Sequence, residues 1–181
     1  MIWFTSDLHL GHTNNLKWRT QFSNIEDMDT CIINSINDCV QRNDDLWVLG
    51  DFAWKAAKYG HYRQRLNVRK LHVVMGNHDS SSLRKHVSSL SDMVCRKFNG
   101  IRFHMTHYPI ASWSGKEHGS VHLYGHCHSR LEDKLDIFDP GRKSMDVGMD
   151  NAFRLIGQFT PFAITDIFNQ LRVLNADSRD C

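Results

Sequence analysis

Short runs of apolar residues recur at Ile2–Thr5, Leu46–Leu49, Leu71–Met75, Ile101–Thr106 and Val121–Tyr124, and a polar, often glycine-containing stretch follows each. Runs of this length, bounded by turn residues, read as buried β-strands. Between the first two the period changes. Ser23 and Glu26 form an S-x-x-E capping box, and Ile25, Met28, Ile32, Ile36 and Val40 then return every three or four residues. This predicts an amphipathic helix of about four turns. A weaker helical pattern covers Lys55–Leu66. A last helix is expected to start with Thr160 as N-cap and Pro161 at the first helical position, burying Ile164, Ile167, Phe168 and Leu171.

Strands alternating with helices point to a layered α/β domain, and the close spacing of strands between residues 93 and 124 adds antiparallel pairing. Mixed sheets flanked by helices are therefore expected. In open α/β sheets, functional groups collect in loops at the carboxyl ends of strands. No repeat, low-complexity tract or Pro/Gly/Ser-rich linker interrupts the 181 residues, and 41% apolar content suffices for one continuous core. One domain over residues 1–181 follows.

Charge changes this picture little. With 22 Lys+Arg against 20 Asp+Glu, the net charge of +2 creates no field that would draw the protein to nucleic acid or an anionic membrane, although a local basic patch is compatible with it. The five cysteines form no C-x-x-C pair, and an odd number fits reduced thiols and a cytoplasmic location. No basic segment followed by a long apolar stretch opens the chain, so secretion is not expected. Nor does any apolar run reach the ~18 residues of a spanning helix, which excludes a membrane partner on that ground.

The candidate chemistry sits where the strands end. Ile2–Thr5 is followed by Asp7 and His9, two apart and able to turn toward one point from an extended loop. Leu46–Leu49 is followed by Gly50-Asp51, where the glycine permits close backbone approach. Leu71–Met75 is followed by Asn77-His78-Asp79, an amide, an imidazole and a carboxylate in succession. Ile101–Thr106 is followed by His107, and Val121–Tyr124 by His126-Cys127-His128. Any one such Asp is commonly a helix cap and any one such His a satisfied structural residue. Their recurrence at five strand ends is what argues for a site. Divalent cations of hard or borderline character take oxygen and imidazole ligands, and two ions about 3.5–4 Å apart need a bridging carboxylate. Asp7, His9, Asp51, Asn77, His107, His126 and His128 supply that set.

The succession D-x-H, G-D, G-N-H-D, a later lone His and G-H-x-H resembles the calcineurin-like metallophosphoesterase superfamily, from residue 2 to about 171. It is closer to a small bacterial and phage branch, in which the first motif continues as Asp7-Leu8-His9-Leu10-Gly11-His12 and the second as Leu49-Gly50-Asp51-Phe52-Ala53. The resemblance implies a layered sandwich of two mixed β-sheets flanked by helices. It further implies that Asp7, His9 and His128 hold one metal, that Asn77, His107 and His126 hold a second, and that Asp51 bridges them. His78 would face the substrate phosphate, with Asp79 fixing its tautomer or sustaining its charge.

Other residues are weighed beside this set. If residues 126–128 are extended, Cys127 points away from both histidines, which favours a core role over a redox or metal one. His12, Asn14 and Asn15 could touch a substrate phosphate or simply hold their own loop, and the pattern does not separate the two. His72, His104 and His122 fall inside strand-like runs and read as structural histidines. Trp54 and Trp113 follow metal-binding loops; packing is the default for each, and stacking on a substrate base the alternative. Arg19, Arg102 and Arg130 are conceivable phosphate clamps, although surface arginines are commoner than clamps.

The chemistry expected is attack of a metal-activated hydroxide on a phosphodiester or phosphomonoester, with His78 protonating the leaving oxygen. Two divalent ions are needed, Mn²⁺ first, with Fe, Zn or Ni able to bind the same ligands. The absence of a P-loop argues against a nucleotide-driven motor, and a small nucleotide-type phosphate ester fits the modest charge better than long DNA. Two alternatives stand beside this: a nuclease or nucleic-acid end-processing enzyme, and a non-catalytic scaffold of the same fold, which should lack ligands that this chain retains.

Overall fold

A computed structural model describes residues 1–173. The elements in chain order are β1 (Ile2–Thr5), α1 (Ile25–Cys39), β2 (Asp45–Val48), α2 (Tyr59–Arg65), β3 (Lys70–Val74), β4 (Ser89–Ser91), β5 (Met93–Phe98), β6 (Ile101–Thr106), β7 (Val121–Tyr124), α3 (Glu132–Phe138), β8 (Ser144–Asp146), α4 (Met149–Ile156), β9 (Phe162–Ala163) and α5 (Ile164–Gln170). They form two mixed sheets. The first has the order β4-β3-β2-β1-β9 and is parallel except for β9; the second has the order β5-β6-β7-β8, in which only β5–β6 is antiparallel. Antiparallel pairing was thus correctly expected between residues 93 and 106, whereas β6 and β7 run parallel.

The mainly apolar runs of β1–β3 follow from burial on both faces. Leu46, Val48, Leu71 and Val73 pack with Met28, Ile32, Ile33 and Ile36 of α1 in one cluster. Phe4, Trp47 and Val74 point the other way, into a second cluster with Phe103, Met105, Val121, Leu123 and Met145 of the second sheet. Phe4 and Phe103 stack across this interface with centroids 5.7 Å apart. The apolar face expected for the last helix, Ile164, Ile167, Phe168 and Leu171, completes that cluster.

Three boundaries differ from expectation. Asn24, not Ser23, caps α1: its side chain accepts from the Asp27 amide at 2.9 Å, and its amide reaches the Asp27 carboxylate at 2.7 Å. The helical pattern after Lys55 is a 3₁₀ turn, Ala56–Lys58, that leads into α2. Pro161 precedes β9 and does not start α5; Ala163 occupies the N-cap position, and its amide donates to Asp166 at 2.8 Å. Pairing of Phe162 with Phe4 wins over the local proline signal. Among the described residues no helix is long and apolar enough to cross a membrane.

Candidate metal centre

The parallel order of β3, β2 and β1 and of β6, β7 and β8 brings their carboxyl ends to one edge of the molecule, so loops far apart in sequence meet there. Short backbone hydrogen bonds lock them together. The Asp7 amide donates to Gly50 O at 3.0 Å, the His9 amide to Asp51 O at 2.9 Å, and the Gly125 amide to His107 O at 2.9 Å. The contact is so close that a Cβ on Gly76 would lie 2.2 Å from Asp51 Oδ1, and one on Gly125 would lie 1.8 Å from Ser6 Oγ.

Asp7, His9, Asp51, His126 and His128 all have positive φ, between 49° and 70°. Non-glycine residues pay a conformational penalty there, and such strain concentrates where function requires it. This corrects the picture of extended loops: left-handed residues, not strand alternation, turn Asp7 with His9 and His126 with His128 toward common points. The same correction reaches Cys127. It is half-buried, lies outside both apolar clusters and joins none of the candidate ligand groups, and burial pushes its thiol up to about 11, followed by the charges of Asp146, Asp7 and Glu132.

The predicted ligands converge. Asp51 Oδ2 lies 3.6 Å from His9 Nε2 and 3.5 Å from His107 Nε2. On one side of it, His9 Nε2 stands 3.3 Å from His128 Nε2 and 3.8 Å from Asp7 Oδ1. On the other, Asn77 Oδ1 lies 3.0 Å from His107 Nε2 and 3.1 Å from His126 Nδ1. Among the described residues, three overlapping candidate ligand groups result: Asp7 with His9 and His128, Asp7 with Asp51 and His107, and His9 with Asp51 and His78.

The donor set fits divalent cations on this geometry alone. Asp7 Oδ2 accepts from the His126 amide at 2.9 Å, but Oδ1 is buried with no hydrogen-bond partner. A buried carboxylate oxygen without a partner is costly, and a cation relieves that cost. Two imidazoles are also set as acceptors. His107 Nδ1 lies 2.8 Å from Leu49 O, which can only accept, so Nδ1 carries the proton and the Nε2 lone pair faces Asp51. His128 Nδ1 lies 2.7 Å from Asp150 Oδ2, which leaves its Nε2 facing His9. Burial, followed by the charges of His128 and Arg19, holds His9 far below the ordinary histidine range, so it too is neutral and able to ligate. Burial likewise raises Asp7, against the lowering charges of His128 and His107.

Asp150 was not anticipated. It bridges His128 and the fully buried Arg19, whose Nε and Nη2 reach its two oxygens at 3.0 and 2.8 Å. Arg19 also donates to Leu8 O and Asp7 O at 3.1 and 2.6 Å. Arg19 is therefore an internal brace of the first loop and not a phosphate clamp. Burial of Asp150 is outweighed by its bonds from His128 and Arg19, which hold its carboxyl well below the usual range. The available signal was Gly148-Met149-Asp150, a glycine and a carboxylate after a strand, but β8 is too short and too polar to read as one. Asp146 was also missed. It accepts from the Gly148 amide at 2.6 Å and the Ser129 amide at 3.0 Å, and burial, then the charge of Asp7, pushes it up to about 8.

Asp79 plays a different part from the one expected. Its carboxylate accepts from the amides of Asp51, Phe52 and Gly76 at 2.8, 3.0 and 2.9 Å, so it fastens the second loop to the third and is not bonded to the His78 ring. The His78 amide donates to Asp51 Oδ1 at 2.9 Å, and its ring stands 5.4 Å from that of His9. His12 belongs to the site: its ring is 5.4 Å from His9 and stacks on Trp54 at 3.9 Å. Asn14 is exposed and makes no side-chain hydrogen bond to the centre, while Asn15 is buried. Trp113 packs on His122 and bonds Ser120 O at 3.2 Å, away from the ligands. His122 is fully buried and satisfied by His104 O and the Ile110 amide, and burial lowers it to about 4, as befits a structural histidine.

Comparisons with known proteins identify the family. The family model described as calcineurin-like phosphoesterase superfamily domain matches residues 1–146. An uncharacterized protein of Methanocaldococcus jannaschii is 29% identical over 152 residues, covering 82% of this chain and 81% of its own. The Gene 66 protein of Mycobacterium phage L5 is 24% identical over 190 residues, covering 86% and 89%. A solved structure from Aquifex aeolicus, of a protein of unknown function, superposes with a TM-score of 0.75 at 20% identity, covering 94% of this chain and 98% of its own, and so shares the fold. The chain belongs to the calcineurin-like phosphoesterase superfamily.

Proposed function

We propose that the protein is a hydrolase of phosphodiesters or phosphomonoesters with two divalent cations at this centre. The observation that carries the proposal is the position of Asp51 Oδ2, 3.6 Å from His9 Nε2 and 3.5 Å from His107 Nε2, between two clusters of nitrogen and oxygen donors. Asp7, His9 and His128 would hold one ion, Asn77, His107 and His126 the other, with Asp51 shared. Mn²⁺ suits this mixed Asp/His/Asn set, as do Fe, Zn and Ni.

Such ions supply Lewis acidity at phosphoryl oxygens and make hydroxide available from water near neutral pH. The chain's own residues do the rest. Asp51 and Asp7 place negative charge where it must be neutralised, and Asp150 and Leu49 O aim two imidazoles by holding their Nδ1 protons. His78 is half-buried beside His9 and Asp51. There it can donate a proton to the leaving oxygen as the bond from that oxygen to phosphorus breaks and the bond from water oxygen to phosphorus forms. It also offers a donor to the equatorial oxygens, on which charge builds. No Ser, Cys or Thr nucleophile is required.

The test is hydrolysis of bis(p-nitrophenyl) phosphate and p-nitrophenyl phosphate by metal-stripped protein with Mn²⁺ restored, beside Asp51→Asn and His78→Ala. Metal-dependent turnover lost in both variants supports the reading, and the preferred ester divides diesterase from monoesterase. No turnover with any divalent metal, in folded protein that binds two ions, would replace it with a scaffold role.

A further inference from the structure

Trp54 is a large aromatic residue that packing does not account for. It belongs to neither apolar cluster and is 41% exposed. Its position is nevertheless rigid. The Trp54 amide donates to Leu10 O at 3.0 Å, and Ala53 pairs with Leu10, so the indole is mounted where the first and second ligand loops join. One face is covered by the His12 ring, nearly parallel at 7° and 3.9 Å away. The His78 ring is 5.1 Å from the indole, tilted at 54°. A side chain anchored through its backbone, backed on one face by His12 and 41% exposed beside the proposed proton donor, is a preorganised stacking surface.

We propose that Trp54, backed by His12, binds the base of a nucleotide-type ester whose phosphate lies at the metal centre. This rests on the phosphoesterase reading and deepens it to a substrate class. The open surface is a bicyclic indole, and overlap governs stacking, so a purine matches it in extent where a single phenyl ring leaves half uncovered. Stacking tolerates different bases because each has a π-face, so the pad selects an aromatic group over an aliphatic one and discriminates weakly among bases. The contribution expected is about 5- to 150-fold in affinity, which is ~1–3 kcal/mol at 1.4 kcal/mol per tenfold.

Calorimetric titration of Mn²⁺-loaded protein with adenosine monophosphate, phenyl phosphate and glycerol 3-phosphate tests this without relying on turnover. Adenosine monophosphate should bind about 5- to 150-fold tighter than glycerol 3-phosphate; Trp54→Ala should abolish the preference, and Trp54→Phe should restore part of it. Equal affinities in the native protein, a preference that survives Trp54→Ala, or no binding of any of the three would overturn the proposal. Phenyl phosphate binding as tightly as the nucleotide would overturn the nucleobase in favour of an aryl ester. If the nucleotide preference stands while no ester is turned over, the hydrolase reading fails and the stacking site does not.

Discussion

Replacing Asp150 with Asn probes a residue that acts on the centre by positioning. In the native protein, Asp150 Oδ2 receives His128 Nδ1 at 2.7 Å and Arg19 Nη2 at 2.8 Å, while Oδ1 receives Arg19 Nε at 3.0 Å. An asparagine oxygen can take over the Oδ2 bonds, but its NH₂ then faces the Nε–H of Arg19, donor against donor. The alternative amide orientation keeps that bond but opposes both His128 Nδ1 and Arg19 Nη2. Either way at least one charge-assisted bond is lost inside a site where Arg19 is 1% exposed, a cost of about 1–3 kcal/mol of stability. Carboxylates that orient ligating histidines are worth about 10- to 100-fold in metal affinity, so the ion held by His128 should weaken by that factor while its neighbour changes less.

The assay is chelator competition for metal affinity, paired with denaturant unfolding of metal-free protein across pH. Burial lowers His128, but its bond to the Asp150 carboxylate and the charge of Asp7 outweigh this and raise it above its ordinary 6.5. Its contribution is therefore complete below 6.5 and fades as pH rises through the folded value. Asp150 is lowered below 3.8, so its contribution is complete above 3.8 and fades as pH falls through its folded value. The pair thus stabilises metal-free protein most between 3.8 and 6.5, and Asp150→Asn should remove that maximum. Unchanged metal affinity with an unchanged pH profile would refute the positioning role.

His78→Ala should lower kcat by about 10²- to 10⁴-fold with metal content unchanged; since a ring nitrogen of His78 lies within 4.8 Å of donors from His9 and Asp51, loss of an ion on elemental analysis would make it a ligand instead. Gly125→Ala places a Cβ 1.8 Å from Ser6 Oγ and 2.5 Å from Asp7 Oδ2, and should cost about 1–3 kcal/mol by denaturant midpoint and weaken metal binding; a native midpoint would show that the loops yield. Chelation should lower Tm, because metal at 100 times its Kd stabilises the folded state by about 2.7 kcal/mol per ion. A Tm indifferent to chelator would speak against occupied sites.

Much of this centre is legible in the chain because ligand chemistry is local in type and regular in placement. Seven donor side chains directly follow five apolar runs, and a parallel sheet delivers such loops to one edge. What pattern could not supply are the residues whose role depends on a distant partner. Asp150 is meaningful only because Arg19 and His128, 131 and 22 residues away, arrive on either side of it. The resemblance assigned Asp79 to the His78 imidazole, but the approach of β2 to β3 presents three amides that take up the carboxylate.

The five principal strands, the α1 helix and the types and order of the candidate donors could be read from the chain, since these depend on apolar periodicity and side-chain chemistry. Folding in three dimensions set the left-handed turns that aim Asp7, His9, Asp51, His126 and His128, the strand at Phe162–Ala163 and the Trp54–His12 stack. Each of these depends on close approach between segments distant in sequence, and contact energies at such approaches override local preferences of a few tenths to about 1 kcal/mol.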